Sequence, residues 1–511
     1  MTKSIQHLND RALLVILDGF GINNEDHKNA IKAAKKPNLD RLFNNFPFTR
    51  IEAGGEAVGL PKGVPGNSEV GHMNLGAGRP VRQDLVRINE AITKKTLATM
   101  PPLLDLINFA KKNSNRVHMM GLLSDGGVHS SIDHLEELVA ILSGHGIELW
   151  LHAFSDGRDT EPKCAKKYIE RINKLDGIKF ASIQGRSIGM DRDRRWEKIQ
   201  NAYETFLGKI NLNSTDALTY LASEYEQGRG DEFLKPALFD SKGAIQKDDA
   251  IFFFNFRPDR AIQLALAFND PTFKEFERPF LAPFFLCMVP YVPDEVKLPI
   301  LFDKEQLQGV MADYLEEHGK KQYHIAETEK YAHVTYFFNG GNKKEHKGEE
   351  FVLIPSPKEV ATYNLKPQMS APEVTEKLVK ALEDTSISFY LVNFANCDMV
   401  GHTGDFNAAI KAVEAVDHYV GELMEACEKN NVTMLLTADH GNSDQMSYID
   451  GTPHTSHTGA PVPFSIYSPK LEGIKIETNP GPHALKDVSP TALYVMGLEL
   501  PASFTGRPIF K

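Results

Sequence analysis

The sequence predicts an α/β protein whose parallel sheets are covered by helices on both faces, and three observations predict it. Short β-branched runs alternate with longer amphipathic stretches along the chain, the rhythm of strand–helix–strand units. Several of these runs are apolar throughout rather than alternating, as strands buried on both faces must be. Three of the strand-like stretches lead into an aspartate: Asp18, Asp398 and Asp439. In an open parallel sheet ligands bind at the carboxyl ends of the strands.

Taken in order, Ala12–Leu17 (ALLVIL) reads as a buried strand closed by Asp18-Gly19. The first helix after it is Pro37–Asn45, where Pro37 suits the first turn because its missing N–H would be unpaired there. Gly59–Gly78 is glycine-rich up to Asn67-Ser68 and then opens a helix at Glu69. Ile251–Phe254, Phe389–Asn393 and Val432–Thr437 are further strands, and Ala371–Leu382 and Ala408–Lys429 are helices.

The chain has 511 residues, which at about 150 residues per domain suggests three domains, or two with one large. Apolar residues make up 41% and charged residues 24%, with 38 Gly and 29 Pro, so collagen-like and low-complexity architectures are excluded. Fifty-seven basic against 68 acidic residues leave a net charge of −11, the wrong sign for a nucleic-acid-binding protein. Cys164, Cys287, Cys397 and Cys427 form no CxxC pair, which argues against a disulfide framework or thiolate metal site and suits a reducing cytoplasm. The polar N-terminus lacks a signal peptide's apolar core, and no apolar run reaches the roughly 18 residues of a membrane span. Arginine is unevenly spread. Thirteen of 18 lie from Arg82 to Arg278 and none from Pro279 to Gly506, as domains with different tasks would produce.

Three acids at strand ends, up to 421 residues apart, would converge at one edge of the sheet. Asp398 and His402 are spaced i, i+4, so on a helix they share one face. Asp439 and His440 are adjacent and can act together only beyond the end of their strand, which Gly441-Asn442 supports as a turn. His454 and His457 sit in a small, polar loop with no core to satisfy. Aspartate and histidine without cysteine suit Mn2+, Zn2+ or Mg2+. With Asp18 and a hydroxyl the donors number about seven, too many for one tetrahedral ion and suited to two.

Ser68 stands at a helix start, where it reads either as an N-cap or as a nucleophile beside phosphate-binding amides. No GxSxG elbow or Walker GK[ST] is present, so metal coordination is the route to activation. The arginines cluster in DGRDT (Arg158, Asp159), GRSIGMDRDRRWE (Arg186, Arg192, Arg194, Arg195) and NFRPDR (Arg257, Arg260), and arginine forks bind phosphate and carboxylate. Arg194 and Arg195 read as a solvated helix face paired with Asp193 and Glu197. His129 lies in the Gly-rich SDGGVHS loop, and Lys330, taken alone, reads as a surface charge.

The blocks LDGFG, GNSEVGHMNLGAGR, SDGGVHS, DGRDT, GR…MDRDRRWE, NFRPDRA, EKYAHVTYFFNGG, NCDMVGHTG, TADHGN and HTSHTGAPVP together closely resemble the cofactor-independent (2,3-bisphosphoglycerate-independent) phosphoglycerate mutases of the alkaline phosphatase superfamily. The resemblance spans essentially the whole chain. It implies an alkaline-phosphatase-like three-layer domain formed by residues 1–81 and 306–511, with a second α/β phosphotransferase domain inserted at 82–305. It implies two divalent metal ions, most commonly Mn2+, one on Asp398, His402 and His457 and the other on Asp18, Ser68, Asp439 and His440. It implies a serine at Ser68 that is transiently phosphorylated, and a phosphoglycerate held by His129, Arg158, Asp159, Arg186, Arg192, Arg257, Arg260 and Lys330. The expected catalytic set is Ser68, Asp159, His129 and Lys330, acting in a cytoplasmic monomer with no nucleic-acid or membrane partner. The two domains are expected to close on the substrate with hinges near 82 and 305. Open alternatives are a metal-dependent phosphatase or phosphopentomutase, which would share the metal set but not the arginine blocks, and a non-catalytic metal- or phosphoglycerate-binding module. A dehydrogenase is disfavoured because DGFG after the first strand is not GxGxxG.

Overall fold

A computed structural model describes residues 4–213, 215–293, 296–304, 307–342 and 345–511. The chain divides into two compact units, Met1–Gln83 with Gln306–Lys511, and Asp84–Glu305. The expected boundary at 305–306 falls outside the described residues.

The first unit is built on a seven-stranded sheet in the order Glu349–Ile354, Lys321–Glu327, Ile387–Phe394, Ala12–Leu17, Thr433–Thr437, Val462–Tyr467, Phe48–Ile51. The first five are mutually parallel, and Val462–Tyr467 runs antiparallel to both its neighbours. Ala12–Leu17 and Thr433–Thr437 are buried at every position, so both sheet faces are covered, as their unbroken apolar runs require. The register sets Ile16 opposite both Asn393 and Thr437, so three central strands end at the same level. The second unit holds a six-stranded sheet in the order Ala237–Leu238, Ile178–Gly185, Glu148–Ser155, Arg116–Leu123, Ala250–Phe253, Phe284–Cys287, parallel except at Ala237–Leu238.

The expected elements form with small shifts at their ends. The strand expected at Phe389–Asn393 runs Ile387–Phe394, that at Ile251–Phe254 runs Ala250–Phe253, and the long helix begins at Phe406. Pro37–Asn45 is helical, but a one-turn helix at Ala30–Ala33, capped by the Asn29 side chain, precedes it. Arg194 and Arg195 do not lie on a helix face. They precede the helix Trp196–Phe206, and Arg195 pairs with Asp193 at 3.5 Å. Among the described residues no helix is long and apolar enough to cross a membrane.

Arg11, at the foot of the first strand, is buried and donates to the carbonyls of Ile387, Asn430, Leu382 and Asp384 at 2.7–3.1 Å. One guanidinium thus ties together the segments that lead into the two strands flanking Ala12–Leu17. Arg11→Met should destabilise this unit by at least about 2 kcal/mol, because the buried bonds to the Ile387 and Leu382 carbonyls are lost. The check is the thermal midpoint, and a shift below about 1 °C would refute the assignment.

Candidate active site

Because the parallel strands end in register, Asp18, two residues beyond Ile16, and Asp439, two beyond Thr437, arrive at the same sheet edge. Asp398 is brought back to it by the short helix Asn396–Gly401. Gly19 makes this approach feasible. Its φ is +76°, and a Cβ there would sit 2.7 Å from the Asp398 backbone. The helix Ser68–Ala77 packs against the same edge with Gly71 facing Asp439, where a Cβ would come within 2.8 Å. Ser68 is not the helix cap. Asn67 takes that role, its side chain accepting from the Val70 N–H at 3.0 Å, which leaves the Ser68 hydroxyl directed into the cluster.

Lys330 is the hub. Its Nζ lies 2.7 Å from Asp18 Oδ1, Asp398 Oδ2 and Ser68 Oγ. Ser68 Oγ is also 3.0 Å from His440 Nε2 and 3.3 Å from Asp18 Oδ1. Burial disfavours the ammonium, but Asp18 and Asp398 outweigh it and raise the Lys330 pKa. Burial likewise opposes the Asp18 carboxylate, yet Lys330 brings it down to about 2, and the same partner holds Asp398 well below its ordinary value. Asp439 differs: burial and then the Asp18 charge push it well up, and its Oδ2 is buried without a hydrogen-bond partner among the described residues. The cluster is short of positive charge.

The histidines carry the complementary signal. His402 Nδ1 donates to Thr455 O at 2.7 Å, His457 Nδ1 to Gly66 O at 3.0 Å, and His440 Nδ1 to Gly441 O at 3.2 Å. A carbonyl only accepts, so each ring carries its proton on Nδ1 and turns an Nε2 lone pair inward. His402 Nε2 and His457 Nε2 are 3.1 Å apart and lie 3.1 and 3.4 Å from Asp398 Oδ1. Three acceptors meeting with no proton to share is the arrangement a divalent cation resolves, so the donor set fits a metal. Ligating atoms of Asp398, His440 and His457 fall within 4.8 Å of one another, as do those of Asp18, His72 and Asp439. His454 stays outside, against the Tyr448 ring.

The remaining expected residues gather in the second unit. Arg186 is buried and bonds Asp156 Oδ1 at 2.6 Å and Asp159 Oδ2 at 2.5 Å. Asp156 also accepts from the backbone N–H of Arg158 and Asp159, so it sets the DGRDT loop. His129 sits 3.9 Å from Asp159 and 3.6 Å from Asp259. Burial, then Arg186, lowers its pKa to about 4. Asp259 also pairs with Arg192 at 3.1 Å and Arg257 at 3.2 Å, while Arg158 reaches Glu232 at 3.5 Å. Arg260 has no carboxylate partner among the described residues. It donates to Met190 O at 3.0 Å, and burial together with Arg186, Arg192 and Arg158 depresses its pKa. Positive charge is concentrated here beyond what the local carboxylates neutralise, as at an anion site. Lys330, grouped by the resemblance with these residues, belongs to the first unit.

Sequence reasoning missed Asn393, His72 and Asn442 in the first unit and Asp156 and Asp259 in the second. All but Asn393 lie inside motifs already singled out. Asn442 Nδ2 donates to Asp398 Oδ1 at 2.9 Å and Asn393 Nδ2 to Asp18 Oδ2 at 2.8 Å.

The metalloenzyme superfamily profile matches residues 10–500. A 2,3-bisphosphoglycerate-independent phosphoglycerate mutase from Pseudomonas aeruginosa is 47% identical over 511 residues, covering 97% of this chain and 98% of that protein. One from Myxococcus xanthus is 46% identical over 500 residues, 96% of each chain. Among solved structures, a Leishmania mexicana phosphoglycerate mutase studied at low cobalt concentration aligns over all of both chains with a TM-score of 0.67 and 31% identity.

Glu327 immediately precedes the short helix Thr328–Ala332 that carries Lys330, and burial raises its pKa to about 7. A raised folded-state value means the protonated form stabilises the fold below about pH 4.5, and that contribution is lost as the pH climbs through 7. Glu327→Gln should therefore gain stability relative to wild type between pH 5 and pH 8, by on the order of 3 kcal/mol at the upper end. Parallel thermal midpoints for the two proteins across that range would refute this.

Proposed function

The chain belongs to the 2,3-bisphosphoglycerate-independent phosphoglycerate mutases, within the metalloenzyme superfamily, and on that premise we propose that it interconverts 3-phosphoglycerate and 2-phosphoglycerate through a phosphoserine at Ser68. The observation that carries the reading is the surroundings of one hydroxyl. Ser68 Oγ stands in the first turn of a ten-residue helix, 2.7 Å from an ammonium and 3.0 Å from an imidazole lone pair.

Asp398, His402 and His457 would hold one ion, and Asp18, Ser68, Asp439 and His440 the other. Divalent ions there, Mn2+ by our reading, would lower the pKa of the serine hydroxyl and neutralise phosphoryl charge. Lys330 donates to Ser68 Oγ and stabilises the serine as an oxyanion and the charge that develops on the phosphoryl oxygens during transfer. The amides opening the Ser68–Ala77 helix add a further anion-binding contribution. In the second unit Arg257 and Arg260 suit the glycerate carboxylate, with Arg158, Arg186 and Arg192 adding positive field. Asp159 and His129 are the proton-transfer candidates, and His129, neutral at pH 7, can accept a proton from a glycerate hydroxyl. The first unit is then the phosphatase-like metal-binding domain and the second the phosphotransferase domain. One chain supplies both clusters, so we take the enzyme to act as a monomer. Its four free cysteines fit a cytoplasmic setting.

Ser68→Ala should lower isomer formation, assayed without 2,3-bisphosphoglycerate, by about three orders of magnitude or more, even at Mn2+ concentrations that saturate the metal sites. Substantial residual activity would remove the phosphoserine route. Chelation should inactivate the enzyme and Mn2+ should restore it. Release of inorganic phosphate in place of the second isomer would favour a phosphatase instead. Arg260→Ala should raise KM for phosphoglycerate at least about tenfold, and an unchanged KM would remove Arg260 from the substrate site.

A further inference from the structure

Two buried side chains without a part in the reaction above, His72 and Asn393, join members of the Ser68 cluster to one another. His72 is four residues after Ser68 on the same helix, so the two share a face. Its Nδ1 is 2.8 Å from Ser68 O. Because a carbonyl only accepts, that nitrogen carries the proton, and it lies 3.4 Å from Asp439 Oδ2, the carboxylate oxygen without a hydrogen-bond partner among the described residues. On the other side of the ring, Nε2 faces Asn393 Nδ2 at 3.0 Å. An amide nitrogen only donates, so Nε2 accepts. The second amide hydrogen goes to Asp18 Oδ2 at 2.8 Å. Flipping the amide would set its oxygen against that carboxylate and against the imidazole lone pair. One proton arrangement therefore remains: Asn393 donates to both Asp18 and His72, and His72 donates to Ser68 O, with its ring packed against Asp439. His72 and Asn393 are 0% and 1% exposed, so water cannot substitute for either.

We propose that His72 and Asn393 are positioning residues, a two-membered brace that fixes the spacing of Asp18, Asp439 and the Ser68 helix and thereby sets the affinity of the cluster for divalent ions. The brace rests on the reading of Asp18, Ser68 and Asp439 as ligands given above. Its anchor is the sheet itself, since strand register fixes Asn393 opposite Ile16, two residues before Asp18. Partners of this kind that orient ligands typically contribute 10- to 100-fold in metal affinity.

The test is calorimetric titration of the full-length protein with Mn2+, for wild type, Asn393→Leu and His72→Phe, alongside kcat and KM at saturating metal. Each variant should bind Mn2+ about 10- to 100-fold more weakly and show a lower kcat, with KM for phosphoglycerate within about twofold of wild type. His72→Asn, whose amide nitrogen can take the place of Nδ1 towards Ser68 O, should recover part of the loss. Folded variants whose Mn2+ affinity matches wild type would overturn the brace while leaving the mutase reading intact. A wild-type protein that binds no divalent ion would overturn both. Should a variant fail to fold, histidine-labelled wild type decides by NMR: His72 is expected neutral with its proton on Nδ1, and a proton on Nε2 would overturn the proposal.

Discussion

Asp18, Asp398 and Asp439 are taken out of water at one edge of a parallel sheet, where unpaired negative charge is expensive. Lys330 stabilises two of them directly at 2.7 Å. The third, Asp439, keeps an oxygen with no hydrogen-bond partner among the described residues. Much of the surrounding structure exists to keep these groups close in spite of that cost. Strand register delivers two aspartates level with each other, Gly19 lets the backbone of Asp398 approach, and Gly71 lets the serine helix reach Asp439. A site of this kind is poised for cations. Its excess of lone pairs is a functional property rather than a packing fault, since backbone carbonyls at Thr455, Gly66 and Gly441 fix three imidazoles with their acceptor nitrogens inward.

The arginine cluster of the second unit shows the opposite imbalance. Its carboxylates are committed to particular arginines, Asp156 and Asp159 to Arg186 and Asp259 to Arg192 and Arg257. Arg260 is left with a carbonyl, under the field of its neighbours. Guanidinium charge in excess of its carboxylates favours anions, as lone pairs in excess of protons favour cations. The uneven distribution of arginine along the chain follows the division into two units.

Much of this was legible before any coordinates. Buried strands announced themselves as apolar runs, and Ala12–Leu17 and Pro37–Asn45 came out with the ends the pattern implied. The short turn at Ala30–Ala33 did not, because four residues carry too little periodicity to register. Ser68 was ambiguous between cap and nucleophile until the Asn67 side chain was seen taking the cap. Lys330 shows the limit most clearly. As one lysine in a mixed segment it reads as a solvated charge, yet it is 3% exposed and bonded to residues 312 and 68 positions away along the chain.

The sequence alone determined the chemical inventory: the α/β class, the aspartates at strand ends, the histidine-rich and arginine-rich regions, and ten ordered blocks that resemble one family. These are properties of residue identity and spacing, which local pattern carries completely. Tertiary structure alone decided which carboxylate pairs with Lys330, which imidazole nitrogen holds the proton, and that His72 and Asn393 stand behind Asp18 and Asp439. Those outcomes depend on burial and on hydrogen-bond partners hundreds of residues away, and a linear chain records neither the dielectric a side chain will meet nor the carbonyl it will face.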